Sequence, residues 1–178
     1  MFKWIAKRSQ TKRKARDLYG AVVAQARQPA FYERLGVADT PQGRYELIAL
    51  HLILVLERLG RPDVADEELR RETLETFVVD LDDAMREWGV GDTNVPKKVK
   101  RAAGGVYARG VAYRAALAQP DDVALEAVLI EHVYCEQKNP LSQALAAYVR
   151  TAAAHLSALP AAQLRDGIAT FPATGKAP

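Results

Sequence analysis

Cysteine is almost absent from the chain. Cys135 stands alone, so no disulfide can form within it, and the sequence fits a reducing compartment. No staple is needed at this size, because a domain of 178 residues buries roughly 70% of its unfolded surface. Long apolar runs are missing too, and nothing approaches the roughly 18 apolar residues of a membrane span. The N-terminus lacks the apolar core of a signal peptide, since MFKWIA gives way at once to KRSQTKRKAR. This predicts a protein made and kept on the cytoplasmic side. A Gly-rich phosphate loop, a nucleophile elbow and a pair of Glu-x-x-His motifs are all absent, which argues against nucleotide, acyl-transfer and di-iron chemistry. With no alternating apolar and polar pattern and no internal repeat, the expected fold is all-α: a single compact domain of about six to seven helices.

What the chain does have is unevenly distributed charge. Residues 1–16 hold seven Lys or Arg and no acid, and residues 63–87 hold ten acids against three arginines. The organising stretch is residues 80–117, where an acidic helix ends at a glycine turn and a basic helix leaves it. Gly89 and Gly91 suit the left-handed backbone that stops a helix. Thr93 and Asn94 can cap the next one, and Pro96 fits its first turn. From Val95 to Arg114 there are six Lys or Arg and no acid. Oppositely charged helices joined by a short loop are expected to lie antiparallel and to face each other.

Around this hairpin the elements follow from periodicity. Residues 1–13 read as a basic, membrane-associating segment, residues 14–160 as the helical domain and residues 161–178 as a flexible tail. A helix is expected over residues 14–28, with Leu18, Val22 and Gln25 inward, and then a break at Pro29. Phe31, Tyr32 and Leu35 tuck inward after it. Nine of the ten residues in LIALHLILVL, residues 47–56, are apolar, which predicts the central core helix. His51 within it is expected to be neutral, buried and hydrogen-bonded. Asp63 or Asp66 caps the acidic helix, whose inward stripe is Leu69 or Leu74, Phe77, Leu81, Ala84 or Met85, and Trp88. The basic helix answers with Val99, Ala102 or Ala103, Val106, Gly110, Tyr113 and Leu117, its glycines Gly104, Gly105 and Gly110 suggesting close helix contact or the approach of a partner backbone. A sixth helix over residues 123–134 is expected to turn Val123, Ala127, Ile130 and Tyr134 inward, and residues 141–159 form the last.

Three chemistries compete for the polar residues. His132 and Cys135 share a helical face near Glu131 and Glu136, but zinc needs about four ligands and no second cluster supplies them. Asp80, Asp82 and Asp83 are similar to the aspartate-rich helices that bind magnesium diphosphate in helical isoprenoid enzymes, yet Arg86 stands where another acid is wanted. The expectation is therefore no metal, no cofactor and no catalysis. Lys97, Lys98, Lys100, Arg101, Arg109 and Arg114 can neutralise phosphates with Tyr107 stacking on a base, which makes an RNA- or ribosome-binding module the alternative function.

The chain resembles the ubiquinol–cytochrome c chaperone family. The resemblance rests on Phe31-Tyr32, the helix around LHLILVLERL, Asp80-Leu81-Asp82, Arg86-Glu87 and Gly89-Val90-Gly91-Asp92. It continues through Val95, Lys97-Lys98-Val99-Lys100, Tyr107-x-Arg109 and Ala112-Tyr113, covering residues 30–117 well and the remainder loosely. It implies a helical, non-enzymatic, membrane-associated chaperone that binds newly made cytochrome b and assists assembly of respiratory complex III. A bacterial member is expected, peripheral on the inner face of the inner membrane. Family members in mitochondria work with a small partner chaperone near the ribosomal tunnel exit, so such a partner or the ribosome itself is a further expected contact. The expected client or partner surface is Asp80, Asp82, Trp88, Val90, Lys97, Lys98, Arg101, Tyr107 and Arg109, with direct nucleic-acid binding secondary. Phe2, Trp4 and Ile5, followed by Lys7, Arg8, Lys12, Arg13 and Lys14, form the expected contact with an anionic bilayer, each charge adding up to about 1 kcal/mol.

Overall fold

The computed structural model describes residues 2–87 and 95–174, and the side chains of residues 2–6 and of Lys98 lie outside that description. Among the described residues every regular element is a helix: α1 Phe2–Ala26, α2 Pro29–Glu33, α3 Pro41–Leu59, α4 Glu67–Glu87, α5 Val95–Leu117, α6 Val123–His132, α7 Ser142–Ala158 and α8 Ala161–Arg165. Six are long and two, α2 and α8, have five residues each.

The apolar run becomes α3, and α1, α4, α5 and α7 all pack on it. Thr40 starts the helix by accepting the Gly43 amide at 3.1 Å, with Pro41 in the first turn. Gly43 is required there, because a Cβ would sit 2.0 Å from the Ala38 carbonyl oxygen. Helix directions can be read from the contacts between them. Tyr45 meets Ala102, Ile53 lies over Gly110 and Glu57 pairs with Arg114 at one constant offset, so α3 and α5 run the same way. His51–Tyr148 and Arg58–Leu156 set α7 in that direction as well. Helix α4 runs opposite to α3, with Phe77 beside Tyr45 at one end and Arg70 on the Leu56 carbonyl at the other. Lys7–Glu68 and Tyr19–Asp80 align α1 with α4. The acidic and basic helices are therefore antiparallel neighbours, as charge and loop length predict.

Most of the expected stripes are buried, among them Leu69, Phe77 and Leu81 in α4 and Val99, Val106 and Tyr113 in α5. Asp66 is the cap of α4, its carboxylate accepting the Leu69 amide at 3.0 Å. Three expectations need correction. First, the opening helix begins at Phe2 rather than near residue 14, because Thr11 and Ala15 continue the inward face of Leu18 and Val22 into the basic run. Second, α6 turns Leu125 and Leu129 inward and leaves Val123 73% exposed. Its sequence VALEAVLIEH is apolar on all sides, so periodicity selects no face. Third, residues 161–174 pack rather than hang loose. Leu164 is fully buried, Phe171 lies edge-on to His51 at 5.2 Å between ring centroids, and Gln25 donates to the Pro172 carbonyl at 3.3 Å. Gly167, at φ +85°, lets this segment approach α1, since a Cβ would fall 2.9 Å from the Lys14 backbone.

His51 fulfils its expected role. Its Nδ1 lies 2.7 Å from the Leu47 carbonyl, which can only accept, so Nδ1 carries the proton and Nε2 accepts from the Tyr148 hydroxyl at 2.8 Å. Gln25 in turn donates to Tyr148 Oη at 2.9 Å. Complete burial pushes the imidazole from its ordinary 6.5 down to about 4. The native state thus holds fewer protons than the unfolded chain between these values. The stabilisation this site contributes, about 3 kcal/mol, is fully present above pH 6.5 and is lost as pH falls through that window. Urea unfolding at pH 7, 5.5 and 4.5 should show this fall in wild type and a flatter dependence in His51→Gln; equal slopes in the two proteins would contradict the assignment.

Candidate client surface

The outward side of α5 begins with basic residues and continues with apolar ones. Lys97, Lys100 and Arg101 are exposed near its start. One and two turns on, Tyr107 is 78% exposed and Val111 47% exposed, with Gly104, Ala108 and Ala115 exposed beside them. Gly104 has open space where its Cβ would be, whereas Gly110 on the inner side has Ile53 at 3.8 Å. Close helix packing therefore explains Gly110 and leaves Gly104 as part of the outer face.

Not every expected site residue belongs to this face. Arg109 turns inward and makes a two-pronged contact with Glu46 of α3, Nε to Oε2 at 2.7 Å and Nη2 to Oε1 at 2.6 Å. It also donates to the Gly105 carbonyl and lies 5.6 Å from the centre of the Tyr45 ring. Burial alone would favour its neutral form, but the Glu46 carboxylate outweighs this and leaves the guanidinium more firmly protonated. Arg114 makes the equivalent fork with Glu57 of α3 at 2.7 and 2.6 Å. These two arginines tie α5 to α3 and not to the acids of α4, contrary to the charge-pairing expected within the hairpin. Asp80 accepts the Tyr19 hydroxyl at 2.7 Å and so joins α4 to α1; burial, with this bond second, raises the phenol well above its usual range. Asp82 pairs with Arg86 of its own helix at 2.7 Å, one turn away. Trp88 and Val90 lie outside the described residues, as does the Lys98 side chain.

On α1, Lys7, Arg8, Lys12 and Arg13 are exposed, and Lys7 comes within 3.9 Å of Glu68. Lys14 is half-buried and binds Asp166 at 3.1 Å, fastening the C-terminal segment. The helix backbone continues through Phe2, Trp4 and Ile5, whose side chains lie outside the description. Among the described residues no helix is long and apolar enough to cross a membrane, and no group of three His, Cys, Asp or Glu could hold a metal ion. Cys135 is exposed. Sequence reading missed Glu46 and Glu57. They lie three turns apart on one side of α3, a spacing that could have marked them as partners for a parallel basic helix.

The family model for ubiquinol–cytochrome c chaperones matches residues 33–171. The chain belongs to the ubiquinol–cytochrome c chaperone family. The match reaches well past residue 117, so α6 and α7 are as much part of the family fold as the hairpin. A crystal structure of the Cbp3 homolog from Brucella abortus superposes with a TM-score of 0.86 at 33% identity, covering 97% of each chain. No curated protein matches the sequence. As a member of the family, the chain is a chaperone in the assembly of ubiquinol–cytochrome c reductase, respiratory complex III.

The division of α5 into an inner, paired side and an outer, exposed side predicts two classes of variant. Arg109→Ala should cost about 3 kcal/mol, because Glu46 at 1% exposure is left as a buried charge without its cation. Arg101→Ala should stay within about 0.5 kcal/mol of wild type. Chemical denaturation of both proteins at neutral pH decides this, and equal costs would place Arg109 outside the structural frame.

Proposed function

We propose that this chaperone binds newly made cytochrome b on the outer face of α5 and its approach from α4, without catalytic chemistry. The observation that carries the reading is Tyr107, a large aromatic exposed on a helix whose other side is fully packed. A chaperone for a membrane protein needs apolar surface rimmed by charge, and Tyr107, Val111, Lys97 and Arg101 supply both. The Lys98 side chain, Trp88 and Val90, which lie outside the described residues, are included in the proposal on their sequence alone, and Asp82 of α4 is included on the acidic side. Arg109 and Asp80 support this surface from behind rather than touching the client. The basic face of α1, with Phe2, Trp4 and Ile5 at its tip and Lys7, Arg8, Lys12 and Arg13 along it, would hold the protein on an anionic bilayer, where each charge adds up to about 1 kcal/mol. The setting we propose is the cytoplasmic face of a bacterial inner membrane, with the ribosome or a small partner chaperone as neighbours.

Two measurements test the reading. Charge reversal of Lys97 and Arg101, with Tyr107→Ser, should abolish co-purification of cytochrome b while the unfolding midpoint stays near wild type. Undiminished co-purification would remove this face from the account, and loss of ribosome or RNA binding alone would favour the nucleic-acid module instead. Deleting residues 2–13 should release the protein from phosphatidylglycerol-containing vesicles in a sedimentation assay; unchanged sedimentation would sink the α1 attachment.

A further inference from the structure

Between α3, α5 and α7 lies a cleft of about 520 Å³. Its walls are Ile53 and Leu54 of α3, Tyr113 and Leu117 of α5, and Ala153 and Leu156 of α7, and its polar lining holds four arginines and one carboxylate, Glu57. The volume falls in the range of about 300–1,000 Å³ in which small ligands are held.

The four arginines are not equivalent. Arg58 is buried and makes four hydrogen bonds, two to Asp63 and one each to the carbonyls of Leu156 and Leu159. Arg114 spends both arms on Glu57. Arg150 binds Asp122 at 2.5 Å and the carbonyls of Asp121 and Leu117. All three hold the walls together. Arg61 is different: among the described residues its guanidinium makes one hydrogen bond, to the neutral Ser157 hydroxyl at 2.8 Å. The remaining donors of an exposed guanidinium are thus left at the mouth of an apolar cleft.

We infer that the cleft takes a single-chain anionic amphiphile, a long-chain fatty acid, with the alkyl chain between α3, α5 and α7 and the carboxylate on Arg61. An uncharged chain would leave Arg61 unused, and a free anion would leave the apolar walls uncovered. The small side chains of α7, Ala153 and Ala154, make the room, so enlarging one of them closes it. The inference is independent of the client reading, which rests on Tyr107 and Val111, whereas the cleft is lined from Tyr113 onward and is tested at Arg61 and Ala154.

The test is a fluorescence titration of the full chain with dansylaminoundecanoic acid, with the corresponding dansyl alcohol as the uncharged control. Wild type should bind the acid saturably and about tenfold more tightly than the alcohol, the worth of a charge-assisted contact. Arg61→Glu should erase that preference, and Ala154→Phe, on an exposed helix position, should abolish binding of both probes with the unfolding midpoint retained. Palmitate should displace the probe. Absence of saturable binding, or equal binding by wild type and both variants, would overturn the assignment. Displacement by phosphatidylglycerol vesicles but not by palmitate would make the occupant a bilayer lipid and overturn the single-chain reading. Displacement only by an acidic amphipathic peptide would make it a protein groove.

Discussion

The constraint on which the rest depends is that the most buried helix carries three polar side chains. Helix α3 is surrounded on all sides, yet Glu46, His51 and Arg58 lie along it with hardly any exposure. A buried polar group without a partner costs free energy, and a buried charge costs far more. Each of the three therefore selects a neighbour. Glu46 takes Arg109 of α5, His51 takes Tyr148 of α7, and Arg58 takes the end of α7 together with Asp63. Apolar packing alone would let parallel helices slide or rotate against α3. These contacts fix both their register and the side that each presents.

This sorting is what turns a basic helix into a defined surface. Helix α5 owes its fixed orientation to Arg109 and Arg114, whose charges are spent on α3. The cations that remain exposed, Lys97, Lys100 and Arg101, therefore share a face with Tyr107 and Val111. A similar division appears on α1. Lys14 is occupied with Asp166 and holds the C-terminal segment over the core, while Lys12 and Arg13 point outward. In both helices a sequence that reads as uniformly basic separates into structural cations and available ones. In the function proposed above, it is this rigid, charged and partly apolar outer face of α5 that meets the client.

Much of the fold was legible in the amino acids. LIALHLILVL identifies the central helix because nine of its ten residues are apolar, and the stripes of α4 and α5 follow from three-and-four spacing. The family was legible in the DLD of α4, the GVGD sequence after it and the Tyr-x-Arg that follows. The direction of Arg109 was not, because its partner Glu46 lies sixty-three positions away and charge composition pairs it more simply with the nearby acids. The face of α6 was hidden by its uniform hydrophobicity. The docking of residues 161–174 depends on contacts with α1, α3 and α7, among them Lys14–Asp166, His51–Phe171 and His155–Thr170, which no local pattern announces.

The central claim is that the two tyrosines of α5 have opposite roles: Tyr113 belongs to the core, and Tyr107 is offered to the client. Site-specific photo-crosslinking in cells, with the reactive residue placed at 107 and separately at 113, tests this directly. The account predicts a crosslink to cytochrome b from position 107 and none from position 113. A silent position 107, or crosslinks from it to ribosomal proteins alone, would contradict it.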